Sequence, residues 1–326
     1  MRAMILAAGL GTRMRPLTDE RAKPALPVRG RPVISLLLEL LARQGIREVM
    51  INLHYLPDTI RRAVDADCPA GLDVTWSEEE KPLGTGGGIR RAAEFLRASE
   101  TCVVLAGDML IDVDLPTLAA RHRARGCDVT LVLRRDPREA TFGSVGVDEA
   151  GHVRRIGRHP VGDAASKSGA PLPETARGLF TSIRFFERAV LADWPDQEVF
   201  EDLRDWLMPR AARGALSLAA EVVDPRECVW EPVGTPAEYL DVNLTPPAMP
   251  SLGGDATAWT GDVEIVGAGR DVVAARSVRI PADARLTRCV VWEDAVLPAG
   301  VRATDGVFGA RGFHPAAAEA DQRGAA

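Results

Sequence analysis

The sequence predicts an α/β protein with a Rossmann-like, mostly parallel sheet and a small, left-handed β-helix-like domain at its carboxyl end. Two patterns lead to this prediction. In the first half of the chain, short unbroken apolar runs alternate with segments of helical periodicity, which is typical of a parallel sheet covered on both faces. After residue 256, small or apolar residues recur about every six positions, which is typical of stacked β-helix coils.

The individual elements follow from periodicity and from turn residues. A first strand is predicted over residues 3–7, followed by a glycine-rich loop. Pro32 is expected to start a helix that Gly45 ends. The other predicted elements are strands at 49–53, 74–76, 102–106, 128–133, 144–147, 153–156 and 179–185, helices at 57–66, near 89–97 and at 200–213, and a mobile loop at 158–177.

Composition also predicts where the domains divide. Residues 245–256 are rich in proline and glycine and read as a linker between a main domain, residues 1–244, and a hexapeptide-repeat domain, residues 257–312. Residues 313–326 are expected to form a disordered tail. A small irregular β-domain is the alternative to the repeat. The positions expected to recur in the repeat are Val278, Ala284, Val290, Val296, Val301 and Val307.

Bulk properties exclude several classes of protein. The formal net charge is −6 and no Lys/Arg stripe is present, which argues against nucleic-acid binding. No apolar run is long enough to span a membrane, and the apolar N-terminus is broken at Gly9, unlike a signal peptide. The five cysteines lack Cys-x-x-Cys spacing and are expected to be reduced and mostly buried. A cytoplasmic protein is therefore predicted.

The most informative segment is the loop after the first strand, with the sequence G-L-G-T-R-M-R-P-L-T from Gly9 to Thr18. It lies at the carboxyl edge of the predicted sheet, where open α/β folds bind ligands. Gly9 and Gly11 allow the backbone to approach a ligand, and Arg13 and Lys23 supply cations for anionic oxygens. A dinucleotide fold is an alternative, but the glycine spacing is not G-x-G-x-x-G. A plain strand-to-loop connection is another.

This run, with Lys23-Pro24 after it, resembles the signature loop of the sugar-1-phosphate nucleotidyltransferases. The resemblance covers about residues 1–244 and implies the nucleotidyltransferase fold, in which a β-helical tail is common. Further segments that resemble family motifs in the same order are Arg29–Ile34 with Gly45-Ile46 (first helix), Ile51–Tyr55 (second strand), Pro82–Gly88 (base-binding loop), Leu105–Asp108 (metal motif) and Val233–Pro236 with Tyr239-Leu240 (end of the catalytic domain).

The resemblance implies transfer of a nucleotidyl group from a nucleoside triphosphate to a sugar 1-phosphate, giving an NDP-sugar and pyrophosphate. The triple glycine at 86–88 points to the branch that acts on N-acetylmuramate 1-phosphate and mannose 1-phosphate, so UTP and GTP are favoured. In this reading Arg13 stabilises the departing pyrophosphate, Lys23 holds phosphate oxygens near the α-phosphorus, and Asp108 binds Mg²⁺. Without the resemblance, Asp108 would be read as a helix cap.

The resemblance also implies two sets of substrate contacts. For Glu80, a solvated surface carboxylate is the alternative. The residues expected at the nucleotide are Ala8, Gly9, Gly11, Thr12, Glu80, Gly84, Thr85 and Gly86, and those expected at the sugar phosphate are Gly143, Arg158 and Ser182.

The sequence departs from the family pattern at two places. The family commonly ends its catalytic domain with W-x-D-V-G-T-P, whose Asp is a metal ligand, whereas Pro232 stands there in this chain. Glu231 could substitute as a ligand if the strand is bulged. Arg158-His159-Pro160 replaces the family's E-K-P, so Arg158 is the candidate cation.

Pro232 motivates a second hypothesis, a catalytically weak paralogue that binds an NDP-sugar and regulates or scaffolds an active partner. The C-terminal coils are expected to allow homo-oligomers.

Overall fold

The structure is a computed structural model that describes residues 1–161, 173–267 and 271–316. The predicted loop 158–177 and the predicted tail 313–326 lie partly outside these residues. The α-helices are α1 (Val33–Arg43), α2 (Pro57–Ala66), α3 (Gly84–Arg91), α4 (Ala93–Leu96), α5 (Leu115–Arg125), α6 (Glu139–Phe142), α7 (Met208–Ala212), α8 (Pro236–Leu244) and α9 (Ala256–Trp259). The strands are β1 (Arg2–Leu6), β2 (Pro27–Val28), β3 (Arg31–Pro32), β4 (Glu48–Leu53), β5 (Asp73–Glu78), β6 (Thr101–Ala106), β7 (Met109–Val113), β8 (Val129–Arg134), β9 (Val145–Val147), β10 (Val153–Ile156), β11 (His159–Pro160), β12 (Ala176–Glu187), β13 (Leu218–Val223), β14 (Cys228–Pro232), β15 (Val263–Val266), β16 (Val272–Ala275), β17 (Arg285–Val291), β18 (Arg302–Gly309) and β19 (Gly312–Pro315).

The apolar runs of the first half form the parallel part of the main sheet. β1 lies between β4 and β6 and is parallel to both, and β5 continues the parallel arrangement beyond β4. Ala3 and Ile5 face one apolar cluster while Met4 faces another, and all three are fully buried. This alternation confirms a sheet covered on both faces. Because the strands are parallel, the loops after Leu6 and Ala106 leave from one edge of the sheet.

β12 makes the sheet mixed rather than mostly parallel. It runs antiparallel to β6 on one side and to β8 and β9 on the other. Its register shifts between Phe180 and Arg184, and Ser182 has a φ of 62° inside this irregular stretch. A bulge of this kind bends a strand and redirects its side chains. Here it brings residues of β12 to the same edge as the loop after β1.

Several predicted elements differ from the structure. The helix expected near 89–97 begins earlier, at Gly84, and the helix expected at 200–213 is a π-helical turn over Asp202–Leu207 that continues into α7. β11 and the start of β12 lie within the segment expected to be a loop. The ribbon of β7 and β14 was not expected, because its strands carry no long apolar run.

The C-terminal strands form a separate five-stranded sheet. β16, β17 and β18 are parallel, with Val272 opposite Cys289 and Cys289 opposite Gly306. Each coil therefore advances by a constant number of residues, which is compatible with the predicted β-helix-like domain. Val290 and Val307 are buried, as the repeat requires, whereas Val296 is 84% exposed. Val296, named as a position of the repeat, therefore does not pack into the core of this sheet and lies in the connection between β17 and β18.

The C-terminal sheet packs against the main domain through apolar side chains. Trp259, Val263, Val290 and Trp292 belong to the same buried cluster as α1 and α8. The predicted linker includes the start of α9. Residues 313–315, expected in the disordered tail, instead pair with β18 as part of β19, and residues 317–326 lie outside the described part of the chain. Within the described ranges, no helix has the length and hydropathy needed to cross a membrane.

The cysteines agree with the expectation of buried thiols. Cys102, Cys127, Cys228 and Cys289 are buried free thiols, and Cys68 is an exposed free thiol. Burial raises the pKa of Cys102 and of Cys228 to about 12, so these two thiols stay protonated near neutral pH.

Candidate active site

A cavity of about 430 Å³ lies at the sheet edge where the loops after β1 and β6 leave. Two further walls come from the start of α3 and from the irregular part of β12. The predicted site residues that line it are Ala8, Gly9, Gly11, Thr12, Arg13, Lys23, Gly84, Thr85, Asp108 and Ser182. The predicted site residues outside the lining are Glu80, Gly86, Gly143, Arg158 and Glu231.

Lys23 and Asp108 form an ion pair inside this cavity. Lys23 is almost fully buried, and its Nζ lies 2.5 Å from Asp108 Oδ2. The other oxygen, Asp108 Oδ1, is buried and has no hydrogen-bond donor within the described residues. A buried carboxylate oxygen without a donor costs about 1–3 kcal/mol, so this oxygen is suited to a cationic ligand. Asp108 does not cap a helix, because strand β7 begins at Met109.

The loop after β1 is shaped by one glycine and by a short helical turn. Gly11 has a φ of 62°, and a Cβ there would stand 2.9 Å from Thr18 Cγ2. Thr18 donates a hydrogen bond to the Gly11 carbonyl (2.9 Å) and is fully buried. The 3-10 turn Thr12–Met14 follows, anchored by the fully buried Met14. This geometry leaves Arg13 exposed on the cavity wall.

Arg13 differs from the other cationic side chains of the cavity in its ion pairing. Lys23 pairs with Asp108, and Arg184 pairs with Asp202 at 2.6 Å. Arg13 has no carboxylate within salt-bridge distance among the residues that the structure describes. Its guanidinium is therefore the cavity cation whose charge remains available to an anionic ligand.

A buried amide and a buried carboxylate join the loops around the cavity. Asn52 Oδ1 accepts a hydrogen bond from the Ala7 amide (2.7 Å), and Asn52 Nδ2 donates to Glu79 Oε1 (2.7 Å). Glu79 Oε2 accepts from the Leu83 amide (3.0 Å). These bonds tie the end of β1 to the approach to α3. The sequence predicts a nucleotide contact for Glu80. Glu80 is exposed and outside the cavity, whereas its neighbour Glu79 lines the cavity.

The triple glycine is explained by crowding and not by ligand contact. A Cβ on Gly86 would stand 2.3 Å from the Phe200 ring, and one on Gly87 would stand 2.7 Å from the Glu198 carbonyl oxygen. Gly86 also donates a hydrogen bond to the Phe200 carbonyl (3.0 Å). Gly86 and Gly87 are therefore needed where residues 198–200 cross the helix, whereas a Cβ on Gly88 would stand 2.9 Å from Asn52 Nδ2. Gly86 does not line the cavity, and its nucleotide contact stays an untested prediction.

Replacing Gly86 with alanine tests this explanation. We expect Gly86→Ala to lower the free energy of unfolding by about 1–3 kcal/mol, because overpacking outweighs the better helix propensity of alanine. The measurement is urea-induced unfolding. Gly9→Ala is the matched control, since a Cβ at Gly9 would meet nothing within 4 Å. Equal losses of stability in the two variants would contradict the crowding argument.

Glu201 follows residues 198–200, which cross α3, and completes the cavity wall. Thr85 Oγ1 lies 2.7 Å from Glu201 Oε2 and 2.6 Å from Asp202 Oδ1, and Glu201 lines the cavity. Arg184 and Asp202 are almost completely buried. Charges this deeply buried require a partner, which each supplies for the other. The network connects Thr85 to Ser182, because Arg184 also donates a hydrogen bond to the Ser182 carbonyl (3.2 Å).

Three predicted residues lie elsewhere. Glu231 Oε2 accepts a hydrogen bond from Arg138 (2.8 Å), and β14 pairs regularly with β7 without the bulge that would turn Glu231 inward. The structure therefore does not bring Glu231 to Asp108, and we do not retain it as a metal ligand. Gly143 and Arg158 are exposed and outside the cavity lining, so their sugar-phosphate contacts remain untested predictions.

The residues present are compatible with one divalent cation held by one carboxylate. Asp108 offers an unpartnered buried oxygen. Within the described residues, no group of three or more His, Cys, Asp or Glu side chains is arranged to hold a metal. Mg²⁺ commonly takes one or two carboxylates and completes its shell with water and substrate phosphates, so a single aspartate fits a phosphate-bound ion.

Comparison with known proteins identifies the family. A family model described as "Nucleotidyl transferase" matches residues 2–247. This chain belongs to the nucleotidyl transferase family, whose members typically use a divalent metal ion.

Curated relatives are identical to this chain at about a third of the aligned positions. A UTP–glucose-1-phosphate uridylyltransferase of Synechocystis sp. is 32% identical over 251 residues, which cover 73% of this chain and 61% of the relative. A mannose-1-phosphate guanylyltransferase of Mycobacterium tuberculosis is 33% identical over 240 residues, covering 73% of this chain and 62% of the relative. The chain thus spans less than two thirds of the length of these relatives.

Solved structures show the same fold. The crystal structure of HddC from Yersinia pseudotuberculosis matches with a TM-score of 0.58 and 23% identity. The match covers 73% of this chain and 96% of the HddC chain. The structure of that protein complexed with GMP-PN matches with a TM-score of 0.59 and 24% identity. This match covers 74% of this chain and 97% of the HddC chain. Both matches support the nucleotidyltransferase fold of the main domain.

Proposed function

We propose that this chain transfers a nucleotidyl group from GTP or UTP to a sugar 1-phosphate, giving an NDP-sugar and pyrophosphate. One observation carries the proposal: Arg13, Lys23 and Asp108 line the same cavity, and Asp108 has one buried oxygen with no partner in the part of the chain that the structure describes. Family membership and the relatives named as uridylyl- and guanylyltransferases support it.

The proposed reaction needs charge stabilisation more than acid–base catalysis. An oxygen of the sugar phosphate forms a bond to the α-phosphorus, and the bond from that phosphorus to the α,β-bridging oxygen breaks. The pyrophosphate leaves with the electron pair. Both reactants are anions, so the barrier is dominated by repulsion and orientation. No proton has to move, because the attacking oxygen is already ionised near neutral pH.

Each cavity residue has a proposed role in that reaction. Lys23, held by Asp108, binds oxygens near the α-phosphorus, and Arg13 binds the pyrophosphate as its charge develops. Backbone groups of Ala8, Gly9, Gly11 and Thr12 face the triphosphate. Gly84 and Thr85 border the nucleoside, and Ser182 borders the sugar phosphate. Asp108 holds Mg²⁺, which when bound neutralises charge on the triphosphate.

The sequence also suggested a catalytically weak paralogue that regulates an active partner. That hypothesis rested on Pro232, which removes a family carboxylate. A protein that only binds an NDP-sugar has no need of a leaving-group arginine, so the retention of Arg13 in the cavity favours the enzyme. We further propose a cytoplasmic protein with a catalytic domain over residues 1–244, and homo-oligomers formed through its C-terminal sheet.

The test is a panel of nucleoside triphosphates and sugar 1-phosphates with Mg²⁺, read out as pyrophosphate release. Turnover with GTP or UTP and at least one sugar 1-phosphate is the expected result. Absence of turnover with every pair, together with a clear rise in Tm on adding an NDP-sugar, would instead support the regulatory paralogue.

A further inference from the structure

The C-terminal sheet contacts the chain between two of the proposed catalytic residues. Residues 12–25, here called the phosphate segment, run from the turn that carries Arg13 to the turn that carries Lys23. The segment contains three short 3-10 turns, at Thr12–Met14, Leu17–Asp19 and Lys23–Ala25. Such turns have poorer hydrogen-bond geometry than an α-helix and do not hold a fixed position alone. Contacts from elsewhere in the fold must therefore position Lys23.

Glu20 connects the phosphate segment to the hairpin of β18 and β19. Its carboxylate accepts hydrogen bonds from the amides of Ala310 (2.9 Å) and Arg311 (3.2 Å). His314 Nε2 lies 2.6 Å from Glu20 Oε1 and donates to it, because an ionised carboxylate only accepts. Only 5% of the Glu20 side chain is exposed. The hairpin approaches so closely that a Cβ on Gly309 would stand 2.6 Å from Glu20 Oε2.

Arg21 connects the same segment to the turn after β17. Its guanidinium donates to Glu293 Oε1 and to Asp294 Oδ2, each at 2.8 Å. The guanidinium carbon also lies 4.7 Å from the centroid of the Trp292 ring. Trp292 in turn donates to the hydroxyl of the buried Tyr239 (2.8 Å). Arg21 is therefore held by two carboxylates and an aromatic face, an arrangement that matches a planar guanidinium and not an ammonium.

These contacts act on the residues next to Lys23. Lys23 follows Arg21 by two positions, and the intervening Ala22 amide donates to Thr59 Oγ1 (3.0 Å). Charge-assisted bonds that are partly shielded from water are stronger and less screened than surface pairs. Glu20 and Arg21 are both largely buried beneath the C-terminal sheet. A shift of this sheet would therefore move Lys23 relative to Asp108.

We propose that the C-terminal sheet positions the phosphate segment, and that Glu20 and Arg21 are positioning residues that fix Lys23 against Asp108. In this proposal the C-terminal sheet contributes to the geometry of the active site by holding residues 12–25 in place. This inference rests on the proposed function for its kinetic consequences. Its structural part, immobilisation of residues 12–25 by the hairpin and by Trp292, does not depend on which reaction the cavity carries out.

Steady-state kinetics of Glu20→Gln and Arg21→Met test the proposal. We expect kcat to fall about tenfold in each variant, since small displacements of a catalytic group cost up to about a hundredfold. The KM for the nucleoside triphosphate should change by less than about twofold, because both variants keep Lys23 in the cavity and lose only its orientation. His314→Gln, on the other side of the contact, should reproduce the effect. Unchanged kcat in all three variants would overturn the proposal.

Arg288→Met is the matched control. Arg288 joins the C-terminal sheet to α8 through Asp241 (2.9 Å) and also bonds Asp305, but it does not contact the phosphate segment. Its loss should leave kcat unchanged. A fall in kcat equal to that of Glu20→Gln would show that any weakening of the C-terminal sheet lowers activity, and would overturn the specific role of Glu20.

A double-mutant cycle separates positioning from general destabilisation. If Glu20 acts through Lys23, Glu20→Gln should lower the rate by less than about twofold in a Lys23→Ala background. A full tenfold loss in that background, about the same as in wild type, would overturn the proposal.

Amide hydrogen exchange provides a readout that is independent of turnover. Exchange within residues 12–25 should be faster in Glu20→Gln than in wild type and unchanged in Arg288→Met. If wild type shows no turnover, the proposed function fails while faster exchange still supports immobilisation by the sheet. Unchanged exchange in Glu20→Gln and Arg21→Met would overturn the inference, whatever the activity.

Discussion

Asp108→Ala is expected to abolish measurable turnover while leaving the protein folded. The substitution removes the cavity carboxylate that has an unpartnered oxygen, and it removes the ion-pair partner of Lys23. Losing one strong electrostatic contact to the reacting groups typically lowers kcat by about 10²- to 10³-fold, and here metal binding and Lys23 are affected together. We expect the more conservative Asp108→Asn to retain a small residual rate and to require a higher Mg²⁺ concentration for half-maximal activity.

The stability of Asp108→Ala should fall only modestly. Lys23 loses its partner, but the Asp108 side chain is 32% exposed, so water screens part of the interaction. We expect the free energy of unfolding to drop by about 1–2 kcal/mol, against a typical total of about 5–15 kcal/mol. Asp224→Ala is the matched control, because Asp224 has the same side-chain exposure, 32%, and pairs with Arg226 away from the cavity. Wild-type turnover in Asp108→Ala would refute the role assigned to this carboxylate.

The sequence was most informative where chain order alone determines position. Unbroken apolar runs predicted parallel strands, and parallel strands place the loops after Leu6 and Ala106 at one edge. The resemblance to the sugar-1-phosphate nucleotidyltransferases then assigned Arg13, Lys23 and Asp108 to one site at that edge. The ion pair between Lys23 and Asp108 was not predictable, because the close approach of Lys23 Nζ to Asp108 depends on the 3-10 turns between Gly11 and β2.

The sequence was less informative where distant segments cross. Glu201 reaches the cavity because residues 198–200 lie across α3, and nothing local in the sequence indicates that crossing. The same crossing explains Gly86 and Gly87, which the resemblance alone attributes to the nucleotide. Glu79 and Glu80 are adjacent acidic residues whose side chains point to opposite sides of the chain. Their residue type does not indicate which of the two is buried, and the structure buries Glu79. A polar Asn52 inside an apolar strand was the one available signal for the buried bridge to Glu79.

Arg13→Ala is expected to show the second large effect, and with a different signature from Asp108→Ala. Arg13 is exposed and has no ion-pair partner within the described residues, so its removal should change the free energy of unfolding by less than about 0.5 kcal/mol. Its proposed contact is with the departing pyrophosphate, whose charge grows only in the transition state. We therefore expect kcat to fall by about 10³-fold, as for arginines that stabilise phosphoryl-transfer transition states, with a smaller change in KM.

Arg15→Ala is the matched control for Arg13→Ala, because Arg15 lies in the same loop, pairs with Asp19 and does not line the cavity. It should retain wild-type kinetics. Arg13→Lys separates charge from shape: a lysine keeps the charge but cannot donate two parallel hydrogen bonds to pyrophosphate oxygens, so it should recover only part of the rate. The reverse reaction gives a direct readout, since the KM for pyrophosphate should rise in Arg13→Ala. If that KM is unchanged while the forward rate falls, Arg13 acts on another part of the substrate and the assigned leaving-group role is wrong.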